Sequence, residues 1–125
     1  MSENDVAYDV RGAAFKVHTA WGPGLLESVY EAAMAHEIRK QGLLVATQVG
    51  LPAYYDAVKL ELGFRLDLLV EDKVIVEIKS VESLLDVHYR QLLTYLRLSK
   101  RKLGLLINFN VPHVKDGIVR LANGL

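Results

Sequence analysis

The chain has 125 residues, 51% hydrophobic and 24% charged, with no cysteine and a formal net charge of zero from 15 basic and 15 acidic side chains. That composition suits one folded domain over residues 1–125 with a single sizeable core, and it excludes a disordered chain, disulfides and thiolate metal sites. A zero net charge supplies no global field to recruit nucleic acid, so any such binding must use a local patch.

No apolar run approaches the ~18 residues of a membrane helix. The acidic start Met1-Ser2-Glu3-Asn4-Asp5 does not read as a signal peptide, so a cytoplasmic location is expected. The first element is a helix over Asp5–Ala20, where Val6, Val10, Ala13/Ala14 and Val17 recur at helical spacing. His18 near its end reads as a packed or capping residue rather than a ligand. Gly22-Pro23-Gly24 breaks the chain, with Pro23 suited to a first helical position. A second helix is predicted from Gly24 to about Gln41, stopped by Gly42. Glu27, Tyr30, Met34 and Ile38 fall on one side of it. A carboxylate on that stripe is expected to be at least half-buried and in need of a partner; the alternative is an N-terminal acid favoured by the helix dipole.

Leu44–Tyr55 reads as a strand, interrupted or ended at Pro52 and therefore an edge. A hairpin follows over Lys59–Ser80. In its first strand Leu60, Leu62, Phe64, Leu66 and Leu68 alternate, which predicts one buried face and puts Lys59, Glu61, Gly63, Arg65 and Asp67 on the other. In its second strand Val74, Val76 and Ile78 take one face and Ile75, Glu77 and Lys79 the other. A two-residue turn would mix polar and apolar faces. A three-residue turn (Glu71-Asp72-Lys73) keeps them consistent, pairing Leu68 with Val76, Asp67 with Glu77 and Leu66 with Ile78, and leaving Arg65 opposite Lys79. Two carboxylates facing each other across a ladder are destabilising unless a cation intervenes, either Lys79 or a divalent metal. A solvated outer face is the competing reading of these charges. Against it, Val74-Ile75-Val76 is apolar on both faces, as in a strand covered on both sides, so Glu77 and Lys79 are expected to border a cleft.

Ser80 or Ser83 can cap the next helix, predicted over Ser83–Ser99 with Leu85, Tyr89, Leu92, Leu96 and Ser99 on its core side. His88, Gln91 and Tyr95 line a neighbouring flank, as core hydrogen bonders or as groups facing a cleft. Lys100-Arg101-Lys102 reads as a solvated cap at the negative end of the helix. Leu103–Asn108 reads as a buried central strand, and Gly117–Leu121, after a turn at Val111-Pro112, as a short final one. The order α-α-β-β-β-α-β-β implies an α/β fold with a mixed central sheet flanked by helices.

Glu77-Ile78-Lys79, with Asp67 on the neighbouring strand, resembles the active-site signature of the PD-(D/E)XK nucleases, whose restriction-endonuclease-like fold has a matching element order. Gly24-x-x-Glu27-x-x-Tyr30 resembles the motif that names the GxxExxY protein family, a proposed branch of that superfamily. Gln91-x-x-x-Tyr95 is similar to the helix motif of its recombination and exonuclease-type members, and the segments 104–109 and 115–120 also resemble the family. The resemblance covers about His18 to Leu121; the proline of the signature is Leu66 here. It implies a metal-dependent nuclease acting on DNA or RNA, with Mg²⁺ or Mn²⁺ held by Asp67, Glu77, the Ile78 carbonyl and Glu27, the last directly or through water. Lys79 would orient the attacking water or stabilise charge on the phosphate. Gln91 and Tyr95 would position water or the nucleic-acid backbone. The alternative is a catalytically silent nucleic-acid-binding or assembly module that retains the fold. The apolar surface of Leu43–Tyr55 could serve a homodimer.

Overall fold

In the computed structural model, which describes residues 1–125 apart from the side chains of residues 61 and 62, the elements follow the expected order. They are α1 (Glu3–Trp21), α2 (Glu27–Lys40), β1 (Val45–Tyr55), β2 (Val58–Val70), β3 (Val74–Lys79), α3 (Asp86–Ser99), β4 (Leu103–Asn108), a 3-10 turn (Val114–Gly117) and β5 (Ile118–Ala122). The five strands form one mixed sheet in the order β1-β2-β3-β4-β5, with β3 and β4 parallel and the other neighbours antiparallel. The fold is thus the expected α/β sheet flanked by helices, consistent with a restriction-endonuclease-like architecture.

Two apolar layers enclose the sheet. On one face the buried stripe of α1 (Val6, Val10, Ala13, Val17) and that of α2 (Tyr30, Met34, Ile38) pack on Leu68, Val70, Val76 and Ile107. On the other, Leu92, Tyr95 and Leu96 of α3 pack on Leu66, Ile75 and Leu106. Every residue of β4 and all of β3 up to Ile78 is buried, as their unbroken apolar runs predict for strands covered on both sides.

Several boundaries differ from the sequence expectation. Helix α2 begins at Glu27, three residues late, so Pro23 lies in the connecting loop. Gly22 and Gly24 hold φ of +64° and +102°, left-handed backbone in which a helix cannot continue. Helix α3 begins at Asp86 rather than Ser83. Its first turn is closed by the His88 ring, whose Nδ1 accepts from the Leu85 N–H at 3.0 Å, in place of a serine cap. Leu85, expected on the core side, is 58% exposed for that reason. Gly117 falls in the 3-10 turn and the last strand starts one residue later. Arg101 is not merely a solvated cap: its guanidinium bonds the Asp72 side chain and carbonyl, tying the end of α3 to the β2–β3 turn.

The alternation in β2 does not keep to one face. Leu66 packs beneath α3, whereas Leu68 and Val70 pack beneath α1 and α2. Strand β1 inverts at the same level, since Val45 belongs to the first layer and Val49 and Leu51 to the second. Leu60 and Phe64, expected in the core, are 43% and 37% exposed because the outer hairpin reaches past the shorter β3. Glu61 and Leu62, also placed by that alternation, lie outside the described residues.

The loop before α2 is fixed by Tyr30. Its ring is fully buried and stacks on Phe109 with centroids 4.5 Å apart. Its hydroxyl donates to the Gly22 carbonyl at 2.5 Å and accepts from the Leu25 N–H at 3.2 Å. Tyr30→Phe keeps the ring and removes both bonds, and is expected to cost about 1–3 kcal/mol of stability. Urea unfolding followed by circular dichroism should show a lower midpoint at unchanged slope.

Candidate active site

The ladder between β2 and β3 pairs Val70 with Val74, Leu69 with Ile75 and Leu68 with Val76, so the three-residue turn Glu71-Asp72-Lys73 sets the register as expected. Glu71 and Asp72 hold the turn in left-handed backbone, at φ +53° and +55°. Past Leu68 and Val76 the backbone pairing ends. The Asp67 N–H donates to Glu77 Oε2 at 2.8 Å, and the Ile78 N–H donates to Asp67 Oδ2 at 2.8 Å. The expected backbone pairs Asp67/Glu77 and Leu66/Ile78 are therefore replaced by two reciprocal carboxylate–amide bonds. In each bond a carboxyl oxygen takes the place of a strand carbonyl as acceptor. These bonds use Asp67 Oδ2 and Glu77 Oε2, and the Gln48 side-chain amide also acts on the Asp67 carboxylate.

Both acids are raised by their surroundings. Glu77, 4% exposed, is pushed up to about 8, first by burial and then by the neighbouring Asp67 charge, against the Asp67 N–H and Lys79. Asp67 is also raised, first by burial and further by Glu27. The Ile78 N–H, Lys79 and the Gln48 amide oppose that shift. Lys79 is half-buried at the end of β3, two residues from Glu77 along the strand, and its ammonium supports the charged form of both acids. Beside Lys79 the chain is pinned by buried Asn108, whose amide bonds the Val81 N–H (3.1 Å) and carbonyl (2.9 Å).

Glu27 is exposed, not half-buried: it is the first residue of α2, ahead of the stretch that meets the sheet. Its partner is nevertheless at hand, because Oε2 accepts from the Ser80 N–H at 3.1 Å just past Lys79. The Ser80 hydroxyl in turn donates to the Leu25 carbonyl at 2.6 Å. Burial beneath the sheet raises the Tyr95 phenol, the Glu77 and Asp67 charges add to it, and its ring centroid lies 5.5 Å from that of Phe64. Gln91, one turn earlier on α3, is exposed and makes no hydrogen bond among the described residues. His88 serves as the helix cap, and His18 is a packed residue bonded through Nε2 to the Val111 carbonyl. Arg65 does not stand opposite Lys79, because the β2–β3 ladder stops before it; its guanidinium reaches the Gln48 carbonyl at 3.2 Å.

Two participants escaped the sequence reading. Glu31 accepts from the Gln48 side-chain amide at 2.6 Å, and both line a cleft of about 310 Å³ with Glu27, Ser28, Asp67 and Ile78. Burial raises Glu31, and the Asp67 charge adds to it against the Gln48 bond. The spacing Glu27-x-x-x-Glu31 puts both acids on one flank of the helix and could have signalled the second. Nothing in the sequence singles out Gln48.

The donor set fits a hard divalent cation: two carboxyl groups on neighbouring strands, each bonded to the other strand's backbone, mutually repelled and partly desolvated. Among the described residues no three His, Asp or Glu side chains stand close enough together to hold an ion, and the Glu27 carboxylate is committed to Ser80. Two acids, rather than three, form the core of the arrangement.

The raised carboxyls have a consequence for stability. Between the ordinary glutamate value and about 8 the folded chain binds more protons than the unfolded one, so stability falls as pH rises through that window. Thermal unfolding of the metal-free protein is expected to show a higher midpoint at pH 5 than at pH 8. Glu77→Gln should flatten most of that slope.

A model of the PD-(D/E)XK nuclease superfamily matches residues 4–121, nearly the whole chain and every element from α1 to β5. No curated protein and no solved structure matches the chain. The mixed α/β sheet flanked by helices agrees with that match. The chain belongs to the PD-(D/E)XK nuclease superfamily.

Proposed function

We propose that this chain is a metal-dependent nuclease that hydrolyses phosphodiester bonds of DNA or RNA. The observation that carries the reading is the buried pair Asp67–Glu77, with Lys79 at the end of the same strand and the cleft under α2 beside it. A solvated surface would not bury Glu77 at 4% exposure against a second carboxylate. Asp67, Glu77 and the Ile78 carbonyl would hold Mg²⁺ or Mn²⁺, with Glu27 bordering them from the first turn of α2. When bound, the cation supplies Lewis-acid polarisation and neutralises charge on the scissile phosphate.

The chain's own residues have separate tasks. The Lys79 ammonium orients the attacking water or stabilises the negative charge that develops on the phosphate oxygens. Tyr95, held in the apolar layer under α3, offers a phenol near the acid pair, and exposed Gln91 contacts the nucleic-acid backbone. The bonds of Glu27 and Ser80 fix α2 against the end of β3, so that the cleft keeps its shape without a ligand. Gly24, Glu27 and Tyr30 further support membership of the GxxExxY branch: the glycine permits the left-handed turn, the tyrosine clasps it and the glutamate spans to β3.

The test is cleavage of labelled single- and double-stranded DNA and RNA with Mg²⁺, Mn²⁺ or EDTA. Cleavage is expected only with a divalent cation, and Lys79→Ala and Asp67→Asn are each expected to lower it by about 10²–10³-fold. Absence of both cleavage and Mn²⁺ binding would sink the reading.

A further inference from the structure

The point where β1 and β2 exchange faces coincides with the acid pair. Thr47 pairs with Leu68 and Val49 with Leu66, but the pair between them, Gln48 and Asp67, is missing from the ladder although the register on either side is unbroken. Gln48 sits there at φ +51°, a left-handed conformation that costs a non-glycine residue on the order of 1 kcal/mol. Such a conformation persists only where the surroundings enforce it. Here two contacts do so: the Gln48 amide donates to Glu31 Oε1 at 2.6 Å, and the Gln48 carbonyl accepts from Arg65 Nη1 at 3.2 Å.

We infer that Gln48 and Glu31 form a strut from α2 to β1 that positions Asp67. The Glu31–Gln48 bond crosses from the first turns of α2 to the strand beside Asp67 and locks the local inversion of both strands. The inversion takes Asp67 out of the backbone ladder and directs it into the cleft lined by Glu27, Glu31, Gln48 and Ile78. There its Oδ2 is free to accept the Ile78 N–H, and the reciprocal bond with Glu77 can form. In a regular strand the same residue would have its backbone committed to Gln48 across the ladder. Gln48 and Glu31 are thus positioning residues that act through Asp67.

The inference rests on the metal-binding reading of the Asp67–Glu77 pair, and its test separates the two. Mn²⁺ binding is measured by calorimetry on the unmodified protein and on Gln48→Gly, Glu31→Ala and Glu31→Gln, with thermal midpoints in parallel. Glycine tolerates the left-handed backbone while removing the amide, and glutamine at position 31 keeps a carbonyl acceptor while removing the charge. Gln48→Gly and Glu31→Ala are each expected to weaken Mn²⁺ binding by about tenfold or more, the scale of a lost outer-sphere support. Glu31→Gln is expected to restore affinity to within about threefold of the unmodified protein, with the fold intact in all. Equal affinity in all four proteins overturns the strut and leaves the metal reading standing. Loss in Glu31→Gln as severe as in Glu31→Ala also overturns it, because the charge and not the hydrogen bond would then matter. No Mn²⁺ binding by the unmodified protein overturns both.

Discussion

The structure turns on an exchange of hydrogen bonds at the open end of the β2–β3 ladder. Two acids from neighbouring strands are brought together, Glu77 buried and Asp67 half-buried at the edge of the cleft, where repulsion and desolvation both act against them. What holds them is that each carboxylate takes the place of a strand carbonyl and accepts an amide of the opposite strand. The backbone groups that a broken ladder would leave unpaired are the groups that retain the charges. Sheet and site therefore cannot be separated: extending the ladder by one pair would remove the acids from the cleft, and removing the acids would orphan two amides.

The second requirement is a rigid frame around the end of β3, and it is met by residues remote in sequence. Tyr30 closes the Gly22–Leu25 turn, Ser80 bonds the Leu25 carbonyl, Glu27 accepts from Ser80, and Asn108 holds Val81 by two bonds. All converge within a few residues of Lys79. The stacking of Tyr30 on Phe109 joins this frame to the core, so the loop's geometry is inherited from buried aromatic packing rather than from loop residues themselves.

Much of this was legible in the sequence, for reasons that can be named. The order of elements, the buried β3 and β4 and the register of the β2–β3 turn follow from apolar periodicity, which burial enforces residue by residue. Asp67, Glu77 and Lys79 stand out because charges at the end of a doubly covered strand are costly without a purpose. The starts of α2 and α3 were misplaced because capping there depends on Tyr30, Ser80 and His88 reaching across turns, which no local propensity reports. The burial of Glu27 was overestimated because a shared helical stripe says nothing about where along the helix packing begins. The fate of Leu66 and Leu68 was hidden for a different reason. Alternation assumes an uninterrupted strand, and a single left-handed residue on the neighbouring strand reverses the faces without changing the register.

That reversal also explains how both helical layers contribute to one site. In a regular sheet, residues on opposite faces belong to separate compartments, and an acid facing α2 would be screened by the sheet from a tyrosine beneath α3. At the level of Gln48 and Asp67 the β1–β2 ladder has no backbone pair, and the apolar side chains on either side of that level pack on opposite faces. Glu27 and Glu31 line the cleft from one layer; Tyr95 lies in the other, where burial first and the two acids second raise its phenol. The interruption costs a ladder pair and a left-handed residue, and in return Asp67 lines the cleft under α2. A small domain with no net charge can thereby set two coupled acids and a lysine beside one cleft while its 15 basic and 15 acidic side chains balance over the whole chain.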